Sequence, residues 1–194
     1  MGRIIAIANQ KGGVGKTTTS VNLSAGLAHL GKKTLLIDID PQGNASSGVG
    51  INKKEIEGCI YDVLIDDESM KSYIHETKVE NLSIVPATMS LAGAEIELVS
   101  AISREIRLKR ALDEVKNDYD FIIIDCPPSL GLLTINALTA SDGVLIPVQC
   151  EYYALEGLSQ LLSTVRLVQK HLNKDLVIEG VLLTMLDART NLGL

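Results

Sequence analysis

A glycine-rich segment near the start of the chain constrains its fold more than any other feature. Residues 11–18 read Lys-Gly-Gly-Val-Gly-Lys-Thr-Thr, after an apolar run at 4–8 and before a stretch of helical spacing from Thr17 to Leu30. A strand, a tight glycine-rich turn and a helix start form a phosphate-binding loop, because backbone N–H groups and the helix dipole together attract a polyphosphate. The segment therefore predicts a nucleotide phosphate site between a strand and a helix.

Two positions in or beside this segment depart from the usual phosphate-loop pattern. The strict pattern G-x-x-x-x-G-K-[ST] requires glycine where this chain has Gln10, and it does not require the lysine found at Lys11. A glycine-rich turn alone is common and predicts only a change of chain direction. Three glycines with a lysine and a hydroxyl at fixed offsets favour phosphate binding over a plain turn.

The composition predicts an aliphatic core and argues against a globally basic surface. Of 194 residues, 46% are hydrophobic, only 3% are aromatic and none is tryptophan, which is typical of Val/Ile/Leu-rich strands covered by helices. The formal net charge of −6 does not favour a whole-surface grip on nucleic acid. Segment 103–116 mixes basic and acidic residues, and a solvated helix face is favoured over a nucleic-acid patch there.

The cysteines and the N-terminus indicate a soluble, cytoplasmic protein. Cys59, Cys126 and Cys150 have no CxxC spacing, so neither a disulfide framework nor a zinc site is expected. The short apolar run before the glycine-rich loop does not resemble a signal peptide. No stretch approaches the roughly 20 apolar residues of a membrane span.

The alternation of apolar runs with helical patterns predicts a doubly wound α/β fold of the P-loop NTPase type, with a mainly parallel sheet and helices on both faces. Strands are expected at 3–8, 34–39, 82–86, 119–125, 143–149 and 176–184, and helices at 17–30, 91–102, 104–117 and 155–172. Segment 41–50 is interpreted as a polar loop. We expect residues 1–194 to form one domain. Because no helical pattern follows Thr184, a fragment truncated at its C-terminus is also expected.

The phosphate loop carries three side chains with expected roles. Lys16 is expected to reach the β- and γ-phosphates, the Thr17 hydroxyl to ligate Mg²⁺, and Thr18 to add a phosphate contact. Lys11 has two interpretations: a second cation beside the γ-phosphate, supplied within the chain or by a partner subunit, or an exposed loop charge. The residues expected to bind the nucleotide are Lys11, Gly12, Gly13, Val14, Gly15, Lys16, Thr17, Thr18 and Asp125.

Acidic residues at the ends of two predicted strands favour hydrolysis over simple binding. Asp125 follows four apolar residues and should emerge at the carboxyl end of its strand, where open α/β sheets bind ligands. Asp38 and Asp40 end another strand on one face, with Asp40 nearer the ligand edge. Asp40 is a candidate to position or deprotonate the attacking water, although an aspartate before proline is also a common turn residue. The metal is expected near Thr17, Asp40 and Asp125, and the catalytic set is Lys11, Lys16 and Asp40.

Three segments resemble the ParA/MinD family of deviant Walker P-loop ATPases. They are Lys-Gly-Gly-Val-Gly-Lys-Thr-Thr at 11–18, Asp-Ile-Asp-Pro-Gln-Gly-Asn-Ala at 38–45 and Ile-Ile-Asp-Cys-Pro-Pro-Ser-Leu-Gly at 123–131. The resemblance covers the whole chain, and the last two segments look like the chromosome-partitioning ParA branch. It implies a magnesium-dependent ATPase with the doubly wound fold.

The resemblance also implies roles that residue chemistry alone leaves open. Lys11 would be the signature lysine that reaches the partner's ATP in a homodimer, and Asp40 would act on the hydrolytic water. The loops at 40–50 and 126–132 would sense the γ-phosphate. The ATP-bound dimer would bind DNA without sequence preference, Arg189 included, and a ParB-type partner would stimulate hydrolysis. Such a protein would be cytoplasmic and nucleoid-associated.

Four other functions remain open at this point. A MinD-like, membrane-associated ATPase that positions cell division would need a basic amphipathic helix at its C-terminus. An ATP-dependent metabolic ligase would need a substrate pocket, and an iron–sulfur electron donor would need a different cysteine arrangement. A nucleotide-controlled regulator of replication or transcription is compatible with partitioning.

Overall fold

The computed structural model describes residues 2–150 and 154–186, with backbone only at 154–156. The strands are β1 (Arg3–Ile7), β2 (Thr34–Asp38), β3 (His75–Glu76), β4 (Leu82–Val85), β5 (Phe121–Asp125), β6 (Gly143–Gln149) and β7 (Val177–Thr184). The α-helices are α1 (Lys16–His29), α2 (Asn44–Gly48), α3 (Ile60–Ile65), α4 (Leu91–Glu97), α5 (Arg107–Asp113), α6 (Leu132–Ala140) and α7 (Ala154–His171). None of the helices in these ranges is long and apolar enough to cross a membrane.

The strands form one seven-stranded sheet in the order β3-β4-β2-β5-β1-β6-β7. All neighbours are parallel except β3, which pairs antiparallel with β4. β1 lies between β5 and β6, so the loop that follows β1 emerges at the middle of the carboxyl edge. This is the edge at which parallel α/β sheets bind their ligands.

Helices cover both faces of the sheet, because alternate strand residues point to opposite sides and both sides are apolar. One face packs against α1 and α2 through a small cluster: Ile7, Ala28, Leu36, Ala45, Leu82, Ile84 and Ile123. The other face carries the main core under α3 to α7, in which Ala6, Leu35, Ile37, Ile122, Ile124, Leu133 and Val165 are all buried. The doubly wound parallel architecture predicted from the sequence is confirmed.

Several local predictions were wrong. The segment at 41–50 is not all loop, because it contains α2. The helix expected at 91–102 ends at Glu97 and continues as a 3-10 turn, and the one expected at 104–117 is confined to Arg107–Asp113. The sequence analysis also missed α3, β3 and α6. The single domain at 1–194 stays a prediction.

Candidate functional site

The phosphate loop borders a cleft of about 290 Å³ at the carboxyl edge of the sheet. The residues that line it are Gly12, Gly13, Gly15, Lys16, Thr17, Thr18, Asp40, Gln42, Asn44, Pro128 and Met185. They come from the phosphate loop and the first turn of α1, from the segment between β2 and the start of α2, from the loop after β5 and from the residue after β7. Val14 is buried outside this lining, and Lys11 and Asp125 are not part of it.

Two glycines give the phosphate loop its backbone path. Gly13 and Gly15 have φ angles of 74° and 89°, in the left-handed region that favours glycine. Gly15 is the residue before α1, and an added Cβ would make an ordinary contact of 3.5 Å with the methyl carbon of Thr184, so the positive φ and not crowding favours glycine there. The Thr184 hydroxyl donates a hydrogen bond of 2.9 Å to the Val14 carbonyl. The end of β7 therefore supports the loop.

Lys16 is the first residue of α1 and is only 6% exposed. Its ammonium group donates to the Lys11 carbonyl at 3.0 Å, across the loop. The Lys11 N–H in turn donates to the Asn9 side chain at 3.0 Å. Burial lowers the pKa of Lys16, while the negative charges of Asp125 and Asp40 oppose that shift. The hydrogen bond to the Lys11 carbonyl thus holds the Lys16 ammonium group at the loop, beside the cleft.

Asp125 ends β5 and is completely buried. Its Oδ1 accepts a 2.8 Å hydrogen bond from the Ser20 hydroxyl, whereas its buried Oδ2 has no hydrogen-bond partner among the described residues. Burial raises the pKa of Asp125 to about 7, and the nearby Asp38 charge adds to this, while the hydroxyls of Ser20 and Thr17 act in the opposite direction.

The unpaired oxygen of Asp125 fits a hydrated divalent cation. A buried carboxylate oxygen without a donor is costly, and a magnesium-bound water would supply that donor. The Thr17 hydroxyl lies at the adjacent cleft wall. Across the described ranges, no cluster of three or more His, Cys, Asp or Glu side chains could hold a metal alone. The site therefore suits Mg²⁺, which keeps several waters and shares phosphate oxygens, better than a metal held only by protein.

The two aspartates after β2 have different surroundings. Asp38 lies opposite Asp125 in the β2–β5 register and is completely buried. Its Oδ2 accepts from the backbone N–H and the hydroxyl of Ser46 at 2.8 and 2.7 Å, and its Oδ1 accepts from the Asp40 N–H at 3.1 Å. Burial raises the pKa of Asp38. Asp38 therefore anchors the chain around it and does not face the cleft.

Asp40 lies beyond the end of β2 and faces the cleft at 7% exposure. Its Oδ1 accepts a 2.9 Å hydrogen bond from the Gln42 N–H, which holds the side chain in a tight turn. The second carboxylate oxygen of Asp40, Oδ2, accepts no hydrogen bond from the described residues, so it can accept one from a water molecule in the cleft. The structure thus brings together Lys16, Thr17 and Asp40 at one cleft, with Asp125 beside Thr17.

The sequence analysis missed several residues of the site. Gln42, Asn44 and Pro128 line the cleft and lie inside the segments quoted above, so those segments were the available signal. Met185 also lines the cleft, and no sequence pattern indicated it. Arg189, the candidate DNA residue, falls outside the described residues.

A second cleft, of about 460 Å³, lies at the opposite edge of the sheet, where the strands begin. Its lining combines Lys33 with Glu76, Glu80 and Asp118. This excess of negative charge does not favour a polyphosphate. The carboxyl-edge cleft is the better candidate.

Comparison with known proteins gives consistent results. A family model described as an AAA domain matches residues 2–178. The sporulation initiation inhibitor protein Soj of Bacillus subtilis (strain 168) is 76% identical over 194 residues, which is 100% of this chain and 77% of the relative. The chromosome partitioning protein ParA of Myxococcus xanthus is 59% identical over 193 residues, covering 100% of this chain and 68% of the relative.

A solved structure matches the whole chain as well. Cobyrinic acid a,c-diamide synthase from Mycobacterium smegmatis, with a bound ATP analogue and magnesium, has a TM-score of 0.95 and 42% identity. The match covers 100% of this chain and 79% of that one.

Proposed function

This chain belongs to the AAA-domain family of ParA/MinD-type P-loop ATPases, and on that premise we propose that it is a magnesium-dependent ATPase of chromosome partitioning. The observation that carries the proposal is the cleft, where the phosphate loop and Lys16 face Asp40. The similarity to proteins named Soj and ParA supports the partitioning role. The similar structure with an ATP analogue and magnesium supports the nucleotide.

The phosphate loop binds the ATP phosphates in this proposal. Residues 12–18 lie at the N-terminus of α1, where free backbone amides and the helix dipole favour negative charge. Lys16 exchanges its hydrogen bond to the Lys11 carbonyl for one to the β- and γ-phosphates. Thr17 and Asp125 would hold Mg²⁺, which would supply positive charge against the phosphate oxygens when bound.

Asp40 orients the attacking water. Its Oδ1 is fixed by the Gln42 N–H, so the carboxylate keeps one orientation toward the cleft. Phosphoryl transfer needs positioning and charge compensation more than covalent chemistry from the protein. Asp40 supplies the positioning and Lys16 supplies positive charge. The hydrolysis of ATP to ADP and phosphate then follows without a covalent intermediate on the chain.

Lys11 makes the site depend on a second copy of the chain. We assign it to the γ-phosphate of the partner subunit in an ATP-bound homodimer. Lys11→Ala is expected to bind ATP but remain monomeric, as measured by light scattering with a non-hydrolysable ATP analogue. Lys32→Ala removes an exposed lysine beyond the C-terminus of α1, far from the loop, and should still dimerise. An ATP-dependent dimer of the Lys11 variant would contradict this role.

The ATP-bound dimer binds DNA without sequence preference, associates with the nucleoid, and is released when a ParB-type partner stimulates hydrolysis. DNA co-sedimentation with ATP, ADP and no nucleotide tests this directly, with anionic vesicles as a parallel arm. ATP-specific sedimentation with DNA is expected. ATP-specific sedimentation with vesicles alone would instead favour the cell-division type of ATPase.

Arg189 contributes to the DNA contact in this proposal. Arg189→Glu should weaken binding equally across sequences and reduce the salt dependence of log Kd by about one unit of slope. Arg166→Glu is the matched control, because Arg166 is an exposed arginine on α7 and the change in charge is the same. Equal effects of the two variants would remove any specific role for Arg189.

One observation favours a second function, ATP-dependent amide ligation: the 42% identity to a diamide synthase. The two functions differ in what ATP turnover requires. A partitioning ATPase should hydrolyse ATP faster with DNA and its partner protein. Turnover that instead requires cobyrinic acid and an ammonia donor would support the ligase.

A further inference from the structure

The loop that carries Pro128 to the cleft is held from outside by another helix. This Pro128 loop, residues 126–131, connects β5 to α6. The Thr134 hydroxyl donates to the Ser129 carbonyl at 2.8 Å, so a hydrogen bond joins the first turn of α6 to the end of the loop. Any shift at the start of α6 therefore moves the chain that lines the cleft.

A carboxylate from α4 caps the start of α6. The Leu132 N–H donates to Glu95 Oε2 at 3.0 Å, and the Leu133 N–H lies 3.4 Å from Oε1. The residue before the helix is Gly131, which has no side chain to satisfy these amides. A negative charge here is also favoured by the helix dipole. Glu95 thus does from α4 what a local capping residue usually does.

Gly131 makes this long-range cap possible. A Cβ at Gly131 would lie 2.5 Å from each carboxylate oxygen of Glu95. Its φ of −76° is available to any residue, so backbone strain does not require glycine there. The glycine is instead needed for the close approach of the carboxylate.

The other end of α4 is tied to the loop that carries Asp40. The Ala87 N–H, just before α4, donates to the Ser46 hydroxyl at 3.0 Å, and Ser46 in turn donates to Asp38. Gly43 packs against the same place, since a Cβ there would lie 2.6 Å from the Ala87 carbonyl oxygen. The segment of residues 87–95 therefore bridges the two loops that border the cleft.

We propose that Glu95 is a positioning residue for ATP hydrolysis. It couples the Pro128 loop to the Asp40 loop, residues 39–43, through α4. This inference rests on the proposed ATPase function. Glu95 does not touch the nucleotide in it. Its carboxylate fixes where α6 begins, so that Pro128 and Asp40 take up their positions around the γ-phosphate together. A cap that served only stability would leave the turnover of the folded enzyme unchanged.

The first test compares two glutamates on the same helix. Glu95→Gln keeps the size of the side chain but turns one acceptor into a donor that faces an N–H group. Glu97→Gln is the control, because the Glu97 carboxylate lies at the surface, where it accepts a hydrogen bond of 2.9 Å from the Tyr61 hydroxyl. With Mg²⁺ and saturating ATP we expect kcat of Glu95→Gln to fall about tenfold, because small displacements of catalytic groups lower the rate of the chemical step. The Kd for an ATP analogue should stay within about threefold, because the phosphate loop itself is untouched.

A second test uses the close approach at Gly131. Gly131→Ala should displace the carboxylate and lower kcat to the level of Glu95→Ala. In the double variant Gly131→Ala/Glu95→Ala the added methyl group meets no carboxylate. Its kcat should therefore equal that of Glu95→Ala alone. Additive losses would overturn the proposal, and so would a Glu95→Gln enzyme with the kcat of Glu97→Gln. A fall in kcat matched by an equal loss of ATP affinity would also overturn it. If the unaltered protein fails to hydrolyse ATP, the proposed function fails instead.

Discussion

Replacing Gly43 by alanine should destabilise the protein because of one backbone contact. Gly43 has a φ of 61°, and its N–H donates to the Asp40 carbonyl at 2.8 Å. A left-handed alanine costs about 1–2 kcal/mol by itself. The added Cβ would also lie 2.6 Å from the Ala87 carbonyl oxygen, and relieving such a contact costs about 1–3 kcal/mol more. The free energy of unfolding should therefore fall by about 2–5 kcal/mol.

Gly50→Ala is the matched control for this change. Gly50 has a φ of 91°, but an added Cβ would meet nothing within 4 Å, so only the left-handed cost applies. At about 3 °C per kcal/mol for a chain of this size, Tm should fall by about 10 °C for Gly43→Ala and about 5 °C for Gly50→Ala. Calorimetry of the nucleotide-free protein measures both.

A Cβ added at Gly43 would meet the Lys53 side chain as well as Ala87, so the two contributions to the loss of stability must be measured separately. The Lys53 ammonium donates to the Gln42 and Gly43 carbonyls at 2.7 and 3.2 Å, and its side chain would also meet the new Cβ. A flexible lysine can move, whereas a backbone carbonyl cannot. Gly43→Ala should therefore remain more damaging than Gly50→Ala in a Lys53→Ala background. Equal losses in that background would refute the role of the Ala87 carbonyl.

Three further predictions concern the cleft. Lys16→Ala should weaken ATP binding at least about 100-fold, because two charged hydrogen bonds of about 1.5–3 kcal/mol each are lost; calorimetric titration checks this, with Lys32→Ala, a change at an exposed lysine beyond the other end of α1, as control. Asp40→Asn keeps the acceptor for the Gln42 N–H, so ATP affinity should change less than about threefold while kcat falls about 100-fold or more; near-normal phosphate release would remove Asp40 from the mechanism. Without Mg²⁺ and nucleotide, the raised pKa of Asp125, about 7 against an ordinary 3.8, means that the folded state keeps a proton which the unfolded state loses between these values. The free energy of unfolding should thus decrease as pH rises from about 3.8 to about 7, by at most about 1.4 kcal/mol per pH unit. Denaturant unfolding of Asp125→Asn should show a free energy of unfolding that depends less on pH over this range.

The strands were the part of the fold that the sequence predicted best. β5 and β6 are runs of apolar residues bounded by polar or turn residues, and their bounds were nearly right. Helix α6 was missed for the opposite reason. Seven of its nine residues are buried, Thr134 and Asn136 among them, so it shows no polar face from which a helical period could be read.

The residues that line the cleft were predictable where they lie in one local segment of sequence. The segments around Lys16, Asp40 and Asp125 identified the side chains, and the fold brings them to one edge of the sheet. The supporting contacts were not predictable, because they join distant parts of the chain. The Glu95 carboxylate accepts hydrogen bonds from amides 37 and 38 positions away in the sequence. The Ala87 N–H donates to Ser46, which is 41 positions away.

The hydrogen bond between Thr184 and Val14 has a consequence for biosynthesis. It joins residues 170 positions apart, and β1 itself can enter the sheet only between β5 and β6. A ribosome therefore releases the phosphate loop among the first residues but must translate nearly the whole described chain before that loop gains its hydrogen bond from Thr184. Since chains emerge at about 5–20 residues per second, the loop waits for roughly 10–30 s without its partners. The phosphate loop is thus synthesised long before β7, the strand whose Thr184 is hydrogen-bonded to it.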